Sequence, residues 1–138
     1  MFDLRVISGL MVAIFLCLGV ARAELPPTVY QDLQKKAPEV LKIRADEVIS
    51  KPAGILDRSN WSEIINATVI EVIRSTTGVK AGAKITISYD RQVFENGRVG
   101  PSPPPQLKKG EEYTAFLAKS DGGQFSIVAR GMSFSPMK

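Results

Sequence analysis

Trp61-Ser62-Glu63-Ile64-Ile65-Asn66-Ala67-Thr68-Val69-Ile70-Glu71-Val72-Ile73-Arg74 is the stretch on which the fold turns. From Ile64 to Arg74 it is rich in β-branched side chains, which lose rotamer freedom in a helix and pack well on a pleated sheet. Read with a period of two, Ile65, Ala67, Val69 and Ile73 fall on one face, and Ile64, Thr68, Ile70 and Val72 on the other. A strand apolar on both faces belongs in the centre of a sheet or in a closed barrel. Glu71 interrupts the first face and marks a bulge or the point where the strand leaves the core.

Downstream of this strand, Thr77 to Gly82 makes a glycine-bearing connection, and Ile85, Ile87 and Tyr89 then alternate with Lys84, Thr86, Ser88 and Asp90. That alternation is the pattern of a half-buried strand. Asn96-Gly97 predicts a type I′ turn in a small hairpin with Val93, Phe94 and Val99. Gly100-Pro101-Ser102-Pro103-Pro104-Pro105 lacks most of its backbone donors and reads as a stiff extended loop. Two further strands follow, with Tyr113, Ala115 and Leu117 inward on the first and Phe125, Ile127 and Ala129 inward on the second. The turn Ser120-Asp121-Gly122-Gly123 joins them as a hairpin. Gly131 breaks the pattern, and Ser133-Phe134-Ser135 reads as one more edge segment.

Upstream, Val29, Tyr30, Leu33 and Ala37 recur at helical spacing, with Lys35 and Lys36 in the last turn, where they complement the helix dipole. Pro38 ends that helix. From Val40 to Ile49 two periods compete: Leu41, Ile43 and Ala45 alternate as in a strand, whereas Val40, Leu41, Arg44, Ala45 and Val48 can line a helix. The strand is the preferred reading.

The chain of 138 residues begins with an apolar run, Val6 to Val20, followed by Ala21-Arg22-Ala23. The run is shorter than the roughly 20 residues that span a bilayer as a helix, and the small residues fit an A-x-A cleavage site. Residues 1–23 are therefore expected to be a secretory signal peptide and 24–138 a single domain, with a helix and connecting segment over 24–60 and a barrel core over 61–134. The expected destination is the periplasm or the medium, and membrane contact is expected only through the leader before cleavage. Cys17, the single cysteine, would leave with the leader, so the mature chain would fold without a disulfide. No histidine is present. Ser-His and Cys-His catalysis, histidine-ligated metal and a histidine pH switch are thereby excluded. Eighteen basic against 14 acidic groups give a net charge of +4. Setting aside Arg5, Arg22 and Asp3 of the leader leaves 16 against 13, a mild excess of +3 that suits an anionic envelope polymer or lipid head groups without indicating nucleic acid.

Ser62 to Val72, then Lys84-Ile85-Thr86-Ile87, then Leu107-Lys108-Lys109-Gly110-Glu111-Glu112-Tyr113-Thr114-Ala115-Phe116-Leu117 and Gly123-Gln124-Phe125-Ser126-Ile127 resemble the netrin-like module. This is the OB-type barrel shared by tissue inhibitors of metalloproteinases and by many small exported bacterial proteins. Gly110, Tyr113, Phe116 and Leu117 carry its most specific string. The resemblance implies a mainly β fold, here a small OB-like barrel of about five strands with a short N-terminal helix. It also implies a role in recognition. The animal inhibitors place an N-terminal cysteine on the target's zinc, and a mature chain without cysteine has no residue for that mechanism.

The binding surface of such a barrel is expected on its face and flanking loops. Arg91, Phe94 and Arg98, beside the proline segment, form the first candidate, with Phe94 as an apolar anchor and the arginines gripping carboxylate or phosphate. Trp61, the only tryptophan, stacks on a ligand or closes one end of the barrel. Asn60-Trp61-Ser62 and Asn66-Ala67-Thr68 match the N-glycosylation pattern. No spacing selects a catalytic carboxylate pair from Glu63, Glu71, Asp90, Glu95, Glu111 and Glu112, and neither a phosphate-cradling loop nor a metal-ligand cluster is present, so no catalytic, cofactor or metal residue is assigned. The expected function is an exported, non-catalytic binding or inhibitor-like module for a protein or an anionic envelope polymer. The alternative is a small carboxylate-dependent hydrolase of an envelope polysaccharide.

Overall fold

A computed structural model describes residues 25–56, 59–93 and 103–137. The expected leader, the Asn96-Gly97 turn and the candidates Phe94 and Arg98 lie outside the described residues. Helix α1 (Pro27–Lys36) is followed by strands β1 (Glu39–Pro52), β2 (Asn60–Ser75), β3 (Lys84–Gln92), β4 (Glu112–Lys119), β5 (Phe125–Ile127) and β6 (Phe134–Pro136). The strands are ordered β1-β2-β3-β5-β4, and β4 pairs again with β1, so the sheet closes into a five-stranded, OB-like barrel. β6 pairs with the first half of β4 along the edge that β5 takes up further on, and places Phe134 in the core.

The Val40–Ile49 ambiguity resolves as a strand, because both edges of its first half find partners. Glu39 to Arg44 pairs with Leu117 to Glu112 on one side while the same residues pair with β2 on the other. The barrel therefore begins at Glu39, upstream of the boundary at Trp61 drawn from the sequence. Inside lie Leu41, Ile43, Ile65, Val69, Ile87, Tyr113, Leu117 and Phe125, all buried in one cluster. Alternation on β3 and β4 runs as the sequence predicts.

The two-sided apolar reading of β2 needs correction. Its inward residues are Glu63, Ile65, Ala67 and Val69, and two bulges then change the parity. Ile70 and Ile73 are the extra residues, since Lys42 and Ile43 pair with Glu71 and Val69, and Val40 and Leu41 with Arg74 and Val72. Both are exposed, while Val72 turns in to pack on the core. Glu71, read as a bulge marker, lies between the two and pairs with Lys42 at 2.8 Å. A third bulge, at Asp46, bends β1 itself.

Gly110 makes the turn into β4 with φ of +85°, and its N–H donates to the Ala45 carbonyl at 2.6 Å. Nothing lies near a Cβ added there, so only the backbone demands glycine. Gly110→Ala is expected to cost about 1–2 kcal/mol of unfolding free energy, measured by urea denaturation.

Glu39 is fully buried at the start of β1, and its Oε1 accepts from the N–H and hydroxyl groups of Thr76 and Thr77 at 2.9–3.2 Å. Burial pushes its pKa up, but hydrogen bonding by Ser75, Thr77 and Thr76 outweighs that and holds the carboxyl below the ordinary 4.5. The bonded carboxylate therefore stabilises the fold above that value, and its contribution disappears as pH falls through the lower folded value. Glu39→Gln is expected to be less stable than the parent at neutral pH and to converge with it in acid, by thermal melts across pH.

Candidate functional site

Three register pairs of β2 and β3 lead from the core to the end of the barrel at the β1–β2 hairpin: Ile65 opposite Ile87, Glu63 opposite Tyr89, and Trp61 opposite Arg91. Period-two alternation keeps these residues on one face, so the interior passes from aliphatic to polar as it nears solvent. Glu63 has no exposed surface and accepts from Arg91 Nε at 2.9 Å through Oε1. The Ser50 hydroxyl donates to its other oxygen, and Gln106 Nε2 donates to Ser50 Oγ at 3.2 Å. Tyr89 donates to the Pro105 carbonyl at 2.9 Å, and burial, then the charge of Glu63, raises its hydroxyl pKa. The polar groups thus tie β1, β2, β3 and the segment after the prolines into one network. Leu107 follows and is buried in the core.

Of the residues singled out from the sequence, Arg91 and Trp61 are cross-strand partners. Arg91 is committed inward: its side chain is only 17% exposed, and its charge is met by Glu63. Pro103 to Pro105 is held to the barrel through Tyr89. The Asn66 side chain donates to Glu47 at 2.8 Å and accepts from Thr86 at 3.0 Å, so it is engaged on the outer face of β2.

The sequence reading passed over Glu63 as one carboxylate among several, although it stands in the inward frame of Ile65, Ala67 and Val69. It also passed over Ile55 and Leu56. These adjacent aliphatics sit at the hairpin tip with 102% and 96% of their reference surface exposed. The base of that hairpin is pinned, with Ala53 N–H donating to the Asn60 carbonyl at 2.8 Å and Val93 N–H to the Ser59 carbonyl at 2.7 Å. Val93, beside it, is also exposed. Among the described residues no group of three or more histidine, cysteine or acidic side chains is placed to hold a metal ion. No protein-family model matches the chain, and no curated protein matches it either.

A buried carboxylate held by one guanidinium leaves a costly charge when either partner is removed. Glu63→Ala and Arg91→Ala are each expected to lose about 3–5 kcal/mol in urea unfolding, whereas Glu63→Leu/Arg91→Met recovers most of that loss. Additive losses in the double variant would contradict the coupling.

Proposed function

We propose that the protein is an exported, non-catalytic binding module that recognises a partner protein through the β1–β2 end of its barrel. The observation that carries this reading is the pair Ile55 and Leu56, held clear of the barrel on a pinned hairpin. Isolated exposed aliphatics are ordinary, but two in sequence at a protruding tip, with Val93 nearby, offer the apolar centre that protein interfaces bury. Trp61, half-buried at the barrel mouth, supplies an aromatic border, while Arg91 behind it is engaged with Glu63. The closed strand order, with β1 between β2 and β4 and with β3 parallel to β5, supports the netrin-like reading at the level of fold. An inhibitor-like role would then run through this hairpin, because a mature chain without cysteine has neither the N-terminal cysteine nor the disulfides that hold that segment on the barrel in the animal inhibitors. Binding is favoured over polysaccharide hydrolysis because Glu63, the buried carboxylate among the described residues at this end, is enclosed by Arg91 and Ser50 instead of facing open space, and Asp90 beside it is on the exposed face.

Cross-linking and affinity capture from envelope extract test this reading, comparing the parent with Ile55→Asp/Leu56→Asp and with Phe94→Ala/Arg98→Ala. The hairpin variant is expected to lose the captured partner while keeping the parent melting temperature. Retention of the same partner by that variant would overturn the assignment of the hairpin.

A further inference from the structure

The opposite end of the barrel has a different chemistry. An open groove of about 520 Å³ lies between the β2–β3 connection, the start of β3 and the β4–β5 turn. Lys80, Lys84 and Lys119 rim it, and no carboxylate lines it among the described residues. All three lysines are exposed, and none forms an ion pair with another described residue, although Lys84 lies within electrostatic reach of Asp46.

The groove follows from the way the barrel closes. β3 and β5 run parallel and meet through a single pair, Ile87 with Phe125, and β5 is only three residues long. Lys84, Ile85 and Thr86 are paired with β2 on one side and, among the described residues, have no strand partner on the other. Parallel neighbours need slanted, evenly spaced bonds along a shared length, and here that length is missing. The opening therefore combines unpaired backbone edge and the Gln124 amide with three ammonium groups, the Thr86 hydroxyl at its margin being already donated to Asn66.

We infer that this groove binds a linear polyanion, whose phosphate or carboxylate groups are held by Lys80, Lys84 and Lys119. Three like charges around one depression repel one another and are relieved by a ligand carrying several negative groups. The flexible stems of lysine let the ammonium groups follow such a chain without a fixed fork geometry. A membrane surface fits less well, because of the apolar residues here Ile85 and Phe125 are buried in the core and Val79 and Ala83 are packed against it, which leaves no large side chain to insert between lipids. Single-stranded nucleic acid also fits less well, since Phe125 has no free face for base stacking. This inference concerns the end away from Ile55 and Leu56 and stands or falls separately from the proposed protein contact.

Titration with inorganic polyphosphate, followed by amide chemical shifts and by affinity at several salt concentrations, tests it. Shifts are expected at Thr86, Gly122, Gly123 and Gln124, with Ser62 and Arg91 unmoved. Three contacts on a flexible chain predict a slope of about −2 for log affinity against log salt, or a loss of roughly 20-fold between about 50 and about 200 mM. Lys80→Ala/Lys84→Ala/Lys119→Ala is expected to lose at least about tenfold in affinity at low salt and to flatten that slope. Lys35→Ala/Lys36→Ala/Lys109→Ala removes the same charge from other exposed positions and is expected to stay within about threefold of the parent. Equal losses in the two variants, or shifts clustered at the β1–β2 end, would overturn the site. Tighter binding to phosphatidylglycerol vesicles than to polyphosphate through the same lysines would overturn the choice of ligand.

Discussion

The first half of β1 is hydrogen-bonded along both edges, and the rest of the barrel is arranged around that fact. Glu39 to Arg44 holds β2 on one side and β4 on the other, which converts an open sheet into a closed one. The double pairing stops at Ala45, whose N–H donates to the Glu111 carbonyl at 3.0 Å while its carbonyl accepts from Gly110. At the next residue, Asp46, the strand bulges, and beyond it β1 continues with β2 alone. A bulge bends a strand and increases its local twist. One strand can thereby serve first as the closing seam and then as half of a hairpin that projects from the barrel.

That division gives the two ends of the molecule their separate characters. The projecting end carries aliphatic side chains into solvent above a buried, charge-compensated network, a combination of a pinned base and an apolar tip. At the other end, β5 is too short to seal the barrel against β3, and the lysines of three separate segments surround the gap. Buried charge is handled differently at the two ends: Glu63 is met by the Arg91 guanidinium and the Ser50 hydroxyl, whereas Glu39, in no ion pair among the described residues, is met by the N–H and hydroxyl groups of Thr76 and Thr77. In both places a carboxylate fixes a neighbouring strand or turn, because leaving it unbonded inside the barrel would cost several kcal/mol, by order of magnitude.

Much of the fold was legible because period-two alternation follows directly from strand geometry. Ile85, Ile87 and Tyr89 and then Tyr113, Ala115 and Leu117 face inward as read, and the Ser120–Gly123 turn joins a real hairpin. The same rule failed in the second half of β2. A bulge adds one residue and reverses the frame, and nothing in Ile70-Glu71-Val72-Ile73 states which isoleucine is the extra one. Of the candidate site, Trp61 and Arg91 were visible as chemistry, but their pairing depends on the β2–β3 register. The partnership of Arg91 with Glu63, 28 residues apart, and of Glu63 with Ser50, 13 apart, is set by three strands meeting. Lys80, Lys84 and Lys119 carried no signal as a group, since Lys119 comes from another strand.

The sequence by itself determined that the domain is mainly β, which side chains of β3 and β4 form its core, and that histidine chemistry is excluded. Those properties reside in composition and in the local backbone period, which need no distant partner. Only the tertiary structure decided that β1 closes the barrel, that Arg91 turns inward to Glu63, that Ile55 and Leu56 stand clear of the surface, and that three lysines share one groove. Each of these depends on which strands lie side by side and in what register, a choice made by the whole set of pairings at once.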